Sequence, residues 1–451
     1  MLIKNAKLIT WEKENRILED SAVFIEGGKI QEIGLSKVLE AKYPNEKILD
    51  ANGQYVMPGN ICAHTHFYGA YARGMGIPGP APKDFPEILE KLWWALDKSL
   101  TEDAVRYSAL VCIIDAIKHG TTTLIDHHAS PNFITNSLEV IAQAVDQTGI
   151  RAALCYEVTD RDGEAKMREG VEENLRFINS LKNGCSKDGR LAATFGLHAS
   201  LTLSDETLDY CREVCPSDVG FHVHIAESIA DQYDSLAKSG LRVVDRLAAH
   251  GILGPRSIGG HGVHIDAKEV QMLAESGTWM THQPRSNMNN AVGVSAVESM
   301  LRAGIKVCIG NDGFSNTMWE EWKFTYLLHK VANLDPRRMN GMDIVQMGVY
   351  NNAALANMFF GGHGPIGILT EGAQADLIFV DYQPFTPLTA GNLPWQILFG
   401  FNESMVTTTI VAGNVLMQDR KLLTIDEAQV AAEAKKLAPH IWDVYNKQFA
   451  A

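Results

Sequence analysis

At 451 residues the chain is long enough for a large core and a second, smaller unit. Apolar residues at 46% and charged residues at 21% describe an ordinary globular protein, not a disordered one. A net charge of −14 repels polyanions and argues against a nucleic-acid partner, while leaving the sign of any local site open.

The N-terminus, MLIKNAKLITWEKENR, carries charges throughout and lacks the apolar core of a signal peptide. No run of the chain approaches the ~18 apolar residues that span a bilayer, so the expectation is a cytoplasmic protein with no membrane partner. The first 55 residues or so read as short strands joined by turns, with Gly27-Gly28 and Asn52-Gly53 as turn pairs. That texture returns in ADLIFVDY (375–382) and TTTIVAGNVLMQD (407–419), where Gly413-Asn414 reads as a hairpin turn. Residues 1–57 and 361–451 are therefore expected to build one composite β domain. The closing stretch from Asp426 reads as a helix with Pro439 as its break.

Between 58 and 360 the pattern alternates differently. Short apolar runs recur after the opening VMPGNICAHTH, at 121–128, 150–158, 191–199, 220–227, 257–265, 278–284 and 306–312. Helix-like segments such as DAVRYSALVCIIDAIKHG and SIADQYDSLAKSGLRVVDRLAAHG lie between them. Eight strands, each followed by a crossover, give an α/β fold of the (β/α)8 TIM-barrel type, with an open doubly wound sheet as the alternative. The seven cysteines are odd in number and scattered; only Cys211 and Cys215 are close, with no second pair to complete a zinc site. Free thiols are the expectation, Cys185 included.

A barrel keeps its chemistry at the C-terminal ends of its strands. There this chain places His64 and His66, Asp126-His127-His128, His198, His222 with His224 and Glu227, His261, His282 and Asp312. Nine of the 15 histidines fall in these segments, a distribution that random placement does not favour. Singly, each has an ordinary explanation: a satisfied core histidine, or a turn former in the case of Asp312. Together, three neutral imidazoles and a carboxylate suit one divalent ion, zinc or iron, with a position open for water. Such an ion lowers its water's pKa from ~15.7 to ~7, which yields hydroxide at neutral pH. Glu227 lies just past a strand end, where a carboxyl can carry a proton to a reactant. The set of parts serves metal-assisted hydrolysis.

VMPGNICAHTH, FGLHASLTLS, HIAES, GGHGVHI, THQPRSNMNN and IGNDGFSN resemble, in order, the successive motifs of the amidohydrolase superfamily, and in particular its aminohydrolase branch. The resemblance covers essentially the whole chain. It implies a distorted TIM barrel with a small β-sandwich domain built from both termini. It also implies that His64, His66, His224 and Asp312 bind one metal, zinc before iron. Spacing alone leaves His222 and His224 interchangeable; the family's HxxE register selects His224. By the same resemblance Glu227 protonates a ring nitrogen, His261 orients or polarises the water, and Asp312 takes its proton. His198, His282, His127, Asn287, Arg190 and Trp94 would surround the substrate. The fourth strand ends in His198 rather than a bridging lysine, which favours a single metal.

The expected reaction is hydrolytic deamination of a nitrogen heterocycle, purine- or pterin-like, releasing ammonia. The alternatives are displacement of halide or alkylamine from a triazine-like ring, opening of a cyclic amide, and a catalytically silent ligand-binding relative. Partners are then a small heterocycle and water, and the resemblance suggests a homodimer or larger homo-oligomer. Phe67, Tyr68, Arg73, Trp93 and Trp94 lie in the long segment after the first barrel strand, where a lid and a stacking surface are expected.

Overall fold

A computed structural model describes residues 1–184 and 188–450, so Cys185 lies outside the described residues. The eight expected barrel strands are present. They run Asn60–Thr65, Thr121–Asp126, Arg151–Leu154, Leu191–Ala193 continued by Phe195–Ala199, Phe221–Ile225, Ile258–His261, Trp279–His282 and Val307–Ile309. They form two parallel arcs, divided at Thr194 within the fourth strand. Thr194 N donates to Leu154 O (3.1 Å) and Phe195 N to Gly220 O (3.0 Å), so this one strand faces the third with its first half and the fifth with its second.

The eighth strand returns to the first. Asn311 N and Asp312 N both donate to His64 O, at 2.9 and 3.1 Å. Asn352 Nδ2 donates to Ile61 O and Ile309 O, at 2.6 and 2.9 Å, stitching the same two strands from one side. Only glycine fits at 310, where a Cβ would lie 2.6 Å from His64 O. All eight strands are buried almost throughout, as parallel strands covered on both faces must be.

Both termini contribute to one nine-stranded sheet. Its Ile17–Glu26 and Lys29–Leu35 hairpin turns on Gly27 and Gly28, both with positive φ. Strand Leu377–Val380 joins the N-terminal strands to the C-terminal ones by pairing with Tyr55–Pro58. Ile3, Val23, Ile25, Phe379 and Ile410, drawn from distant strands, share one apolar cluster, so the sheet wraps around its own core. The late hairpin turns on Ala412-Gly413, one residue earlier than expected, both with positive φ. Asn52-Gly53 makes a turn whose flanking strands both lie parallel to Leu2–Ile9 rather than against each other.

At Gly59 the chain passes from this sheet into the barrel, and a Cβ there would come within 2.2 Å of Thr122 Cγ2. Two helical expectations change. The segment 228–251 is two helices, Ile229–Ser239 and Val243–Ala249, because Gly240 adopts φ 72° and caps the first. Pro439 does not break the last helix, which runs unbroken through Glu427–Lys447. Its ring sits on the exposed face, where water can satisfy the carbonyl of exposed Lys435 that it leaves unbonded. That helix leaves the β sheet and packs on the barrel helix Glu102–Lys118. The six described cysteines are free thiols, and no described helix is long and apolar enough to cross a membrane.

Candidate active site

The strand ends meet at one end of the barrel. Period-two alternation turns His64 and His66 to the same interior, and the fifth strand does the same for His222 and His224. Ala226, His261 and Asp312 all hold positive φ (46°, 68° and 56°), a conformation side chains resist and functional sites often retain. These bends aim the side chains that follow each strand into the barrel mouth.

His64, His66, His224 and Asp312 bring four ligand atoms within 4.8 Å of one another. Asp312 Oδ1 lies 2.9 Å from His64 Nε2 and 3.0 Å from His66 Nε2. The remaining nitrogens settle what the cluster wants. His66 Nδ1 donates to His127 O (2.6 Å) and His224 Nδ1 to His198 O (2.7 Å), which fixes the proton on Nδ1 in both rings. Their Nε2 atoms both point into the cluster, 3.3 Å apart, with Asp312 Oδ1 3.0 Å from that of His66, so a cation among them would meet two imidazole nitrogens and a carboxylate oxygen. His64 is held by His222 Nε2 at 2.9 Å, so His222 supports a ligand from behind. The donor set fits one divalent ion.

Two carboxyls beside it are pushed in opposite directions. Burial, with Asp312 and Asp231 nearby, raises the Glu227 carboxyl well above the usual carboxylate range. Burial opposes ionisation of Asp312 too, but His261, His64 and His66 hold it well below that range. Asp312 Oδ2 accepts from Ser286 Oγ at 2.5 Å. His261 is fully buried; Asn287 Oδ1 takes its Nδ1 proton at 2.9 Å, leaving Nε2 unpartnered, 3.4 Å from Glu227 Oε2 and 3.8 Å from Asp312 Oδ2. One carboxyl is thus biased toward its acid form and the other toward its base form.

A cavity of about 560 Å³ opens from this cluster. His66, His224, Glu227, Asp312, His198 and Trp94 reach it, with Phe85, Leu89 and Trp93 supplying an apolar wall. Four residues expected around the substrate lie elsewhere. Arg190 is at the opposite end of its strand, where its guanidinium is taken by Asp188 and by the carbonyl of Ile150. His127 is fully buried between Glu157 and the His222 carbonyl. His282 is fully buried against His329, and Asn287 acts behind His261.

Glu157, Asp97, Arg161 and Asn290 were not anticipated. Glu157 lines the cavity between His66 and His198; as the polar end of the third predicted strand, it was open to the same strand-end reasoning that found His198. Asp97 lies in the lid segment and is ion-paired to Arg161, which in turn lies over the Trp94 ring at 5.4 Å. Asn290 Nδ2 lies 3.4 Å from Glu227 Oε1.

Residues 55–416 match the amidohydrolase family. The chain is 32% identical to a 5'-deoxyadenosine deaminase of Methanosarcina mazei, over 98% of both chains. It is 29% identical to a 5-methylthioadenosine/S-adenosylhomocysteine deaminase of Pelotomaculum thermopropionicum, over 97% of this chain and 98% of that protein. Among solved structures, an adenosine deaminase from Xanthomonas campestris with bound zinc superimposes with TM-score 0.84 at 22% identity, over 98% of both chains. A guanine deaminase from E. coli gives TM-score 0.79 at 18% identity, over 92% of this chain and 99% of that one. With a metal-ready cluster at the mouth of a TIM-barrel-like fold and a match over most of its length, the chain belongs to the amidohydrolase family.

Proposed function

We propose that this protein is a metal-dependent hydrolytic deaminase acting on a purine-like amino heterocycle. The observation that carries the reading is the buried Glu227 carboxyl, pushed well above the usual carboxylate range, on the wall of a cavity large enough for a bicyclic ring, with His261 Nε2 3.4 Å behind it. A divalent ion held by His64, His66, His224 and Asp312 would polarise water and lower its pKa to about 7. The chain's own groups do the rest.

Glu227, whose carboxyl burial pushes well above the usual range, donates a proton to the ring nitrogen next to the amino-bearing carbon, so the ring takes up electron density without gaining charge. His261 Nε2 and Asp312 Oδ2 lie 3.8 Å apart and can receive the proton released from the attacking water. Ser286 holds that Asp312 oxygen in place. Return of the proton to the departing nitrogen lets ammonia leave instead of amide anion. The apolar wall of Phe85, Leu89 and Trp93 offers a flat ring a stacking surface and keeps bulk water from the floor. The deaminase names of the relatives support the same reaction class. Zinc-loaded protein offered purines, pterins and purine nucleosides should release ammonia from at least one of them; a protein that binds zinc and these rings without turnover contradicts the reading.

A further inference from the structure

Two side chains on the cavity wall have no part in the deamination chemistry. Glu157 and His198 are 3% and 8% exposed, and both line the cavity. Glu157 Oε1 accepts from His127 Nδ1 at 2.9 Å, while the other His127 nitrogen donates to His222 O at 3.0 Å. That oxygen is therefore committed, and Oε2 is the one left for a ligand. Thr202 Oγ1 donates to Ala199 O (3.2 Å) and so accepts the Nδ1 proton of His198 (2.7 Å). This leaves His198 Nε2 as a bare lone pair, 3.9 Å from Glu157 Oε2. Two acceptors face one gap with no proton between them, and a ligand N–H is the group that satisfies both. Trp94, whose ring stands edge-on to His198 at 6.3 Å between centroids, bounds the same gap.

Resting on the deaminase reading, we propose that Glu157 and His198 recognise a second N–H group on the substrate ring, and so select a heterocycle such as an amino-oxopurine or a diaminopurine over an adenosine-type ring. Once the amino group that leaves is set aside, an adenine nucleoside presents only acceptor nitrogens along its ring edges. Two protein acceptors would meet those lone pairs and be left unpaired, the kind of mismatch that discriminates strongly. A ring N–H or a further amino group turns the same contact into a charge-assisted hydrogen bond. Glu157 and His198 are thus specificity-determining residues, and the ring they select differs from the one in the name of the 5'-deoxyadenosine deaminase relatives.

The test is ammonia release by the zinc-loaded full chain from two groups of rings. Guanine, 2,6-diaminopurine and pterin carry the second donor; on the ring of 9-methyladenine, adenosine and 5'-deoxyadenosine there is none. Wild type should favour the first group by at least about tenfold in kcat/KM. In Glu157→Gln the amide oxygen still accepts from His127, so its NH2 faces the gap. The first group should then lose about tenfold or more, mainly through KM, while the second group does not fall. Zinc content should stay at the wild-type level. Thr202→Val reaches the same end away from the metal ligands, because His198 without its Nδ1 acceptor shifts its proton to Nε2. It should erode the same preference. Adenosine-type rings turned over as well as the donor-bearing ones by wild type, or a ratio unmoved by both variants, overturns the selection and leaves the deaminase standing. Ammonia from none of the six rings removes the deaminase reading itself, and the selection falls with it.

Discussion

In the proposed reaction Glu227 is the acid, and burial pushes its carboxyl well above the usual range, which makes its replacement informative. Glu227→Gln keeps the shape and takes nothing from the His64, His66, His224 and Asp312 cluster, so zinc content should be unchanged. Ammonia release should drop by roughly 10²–10⁴-fold, the usual span for removing a positioned acid. At this scale spacing showed only that His64 and His66 share a face; the choice of His224 over His222 rested on the resemblance to the family's HxxE register, and the fold brings these three histidines together with Asp312. Glu157 was not singled out, because its meaning lies in three histidines from other strands, His66, His127 and His198, that only the folded barrel brings to it. Arg190 shows the converse: a position suggested by resemblance proved to sit at the other end of its strand. Cysteines follow burial alone. Burial raises the thiol of Cys62 to about 12, and Cys155 and Cys308 are fully buried as well. A thiol reagent at pH 8 should label these three only on unfolding; labelling of the folded protein at the unfolded rate contradicts their placement.

Elements were legible wherever a pattern had one physical cause. The eight barrel strands were readable as apolar runs because burial on both faces leaves little room for polar residues. The helix Glu102–Lys118 was readable to within two residues, its start marked by Thr101, whose hydroxyl accepts from Ala104 N. The last helix was misread at Pro439, since a proline's cost depends on which face it occupies and a sequence does not show the face. Replacing it is a direct check. Pro439→Ala restores the missing hydrogen bond at an exposed position and should stabilise the protein by up to about 3 kcal/mol, visible as a higher Tm. The seam offers the opposite case. Gly59→Ala places a methyl 2.2 Å from Thr122 Cγ2, a contact that backbone must move to relieve. A loss of about 1–3 kcal/mol is expected, measured by thermal or denaturant unfolding.

For the whole molecule, the texture of the chain changes near residue 58 and back after 360, and strands from both ends of the chain share one sheet while parallel strands lie between them. What was hidden is how the ends meet: the sheet forms one continuous path, and the C-terminal helix abandons it for the barrel. The metal cluster joins the first, fifth and eighth strands, so a bound ion should brace the barrel as a unit. Chelation should lower Tm and zinc should restore it, with the gain growing as RT ln(1 + [zinc]/Kd). A Tm indifferent to zinc would contradict the cluster as a binding site.

The C-terminal helix also fixes when the cavity can be finished. Trp442 Nε1 donates to Tyr71 O at 3.0 Å, Tyr445 Oη to Lys91 O at 2.5 Å, and Gln448 Nε2 to Ala95 O at 2.7 Å. All three acceptors belong to the segment that carries the cavity's aromatic wall. During synthesis His64 and His66 leave the ribosome early, and the barrel can close once Asp312 has followed. The rim stays untied until residues 442–448 emerge. A nascent chain stalled short of them would hold the four cluster residues but leave the mouth of the pocket unfastened, so the rim is tied only once this helix has been made.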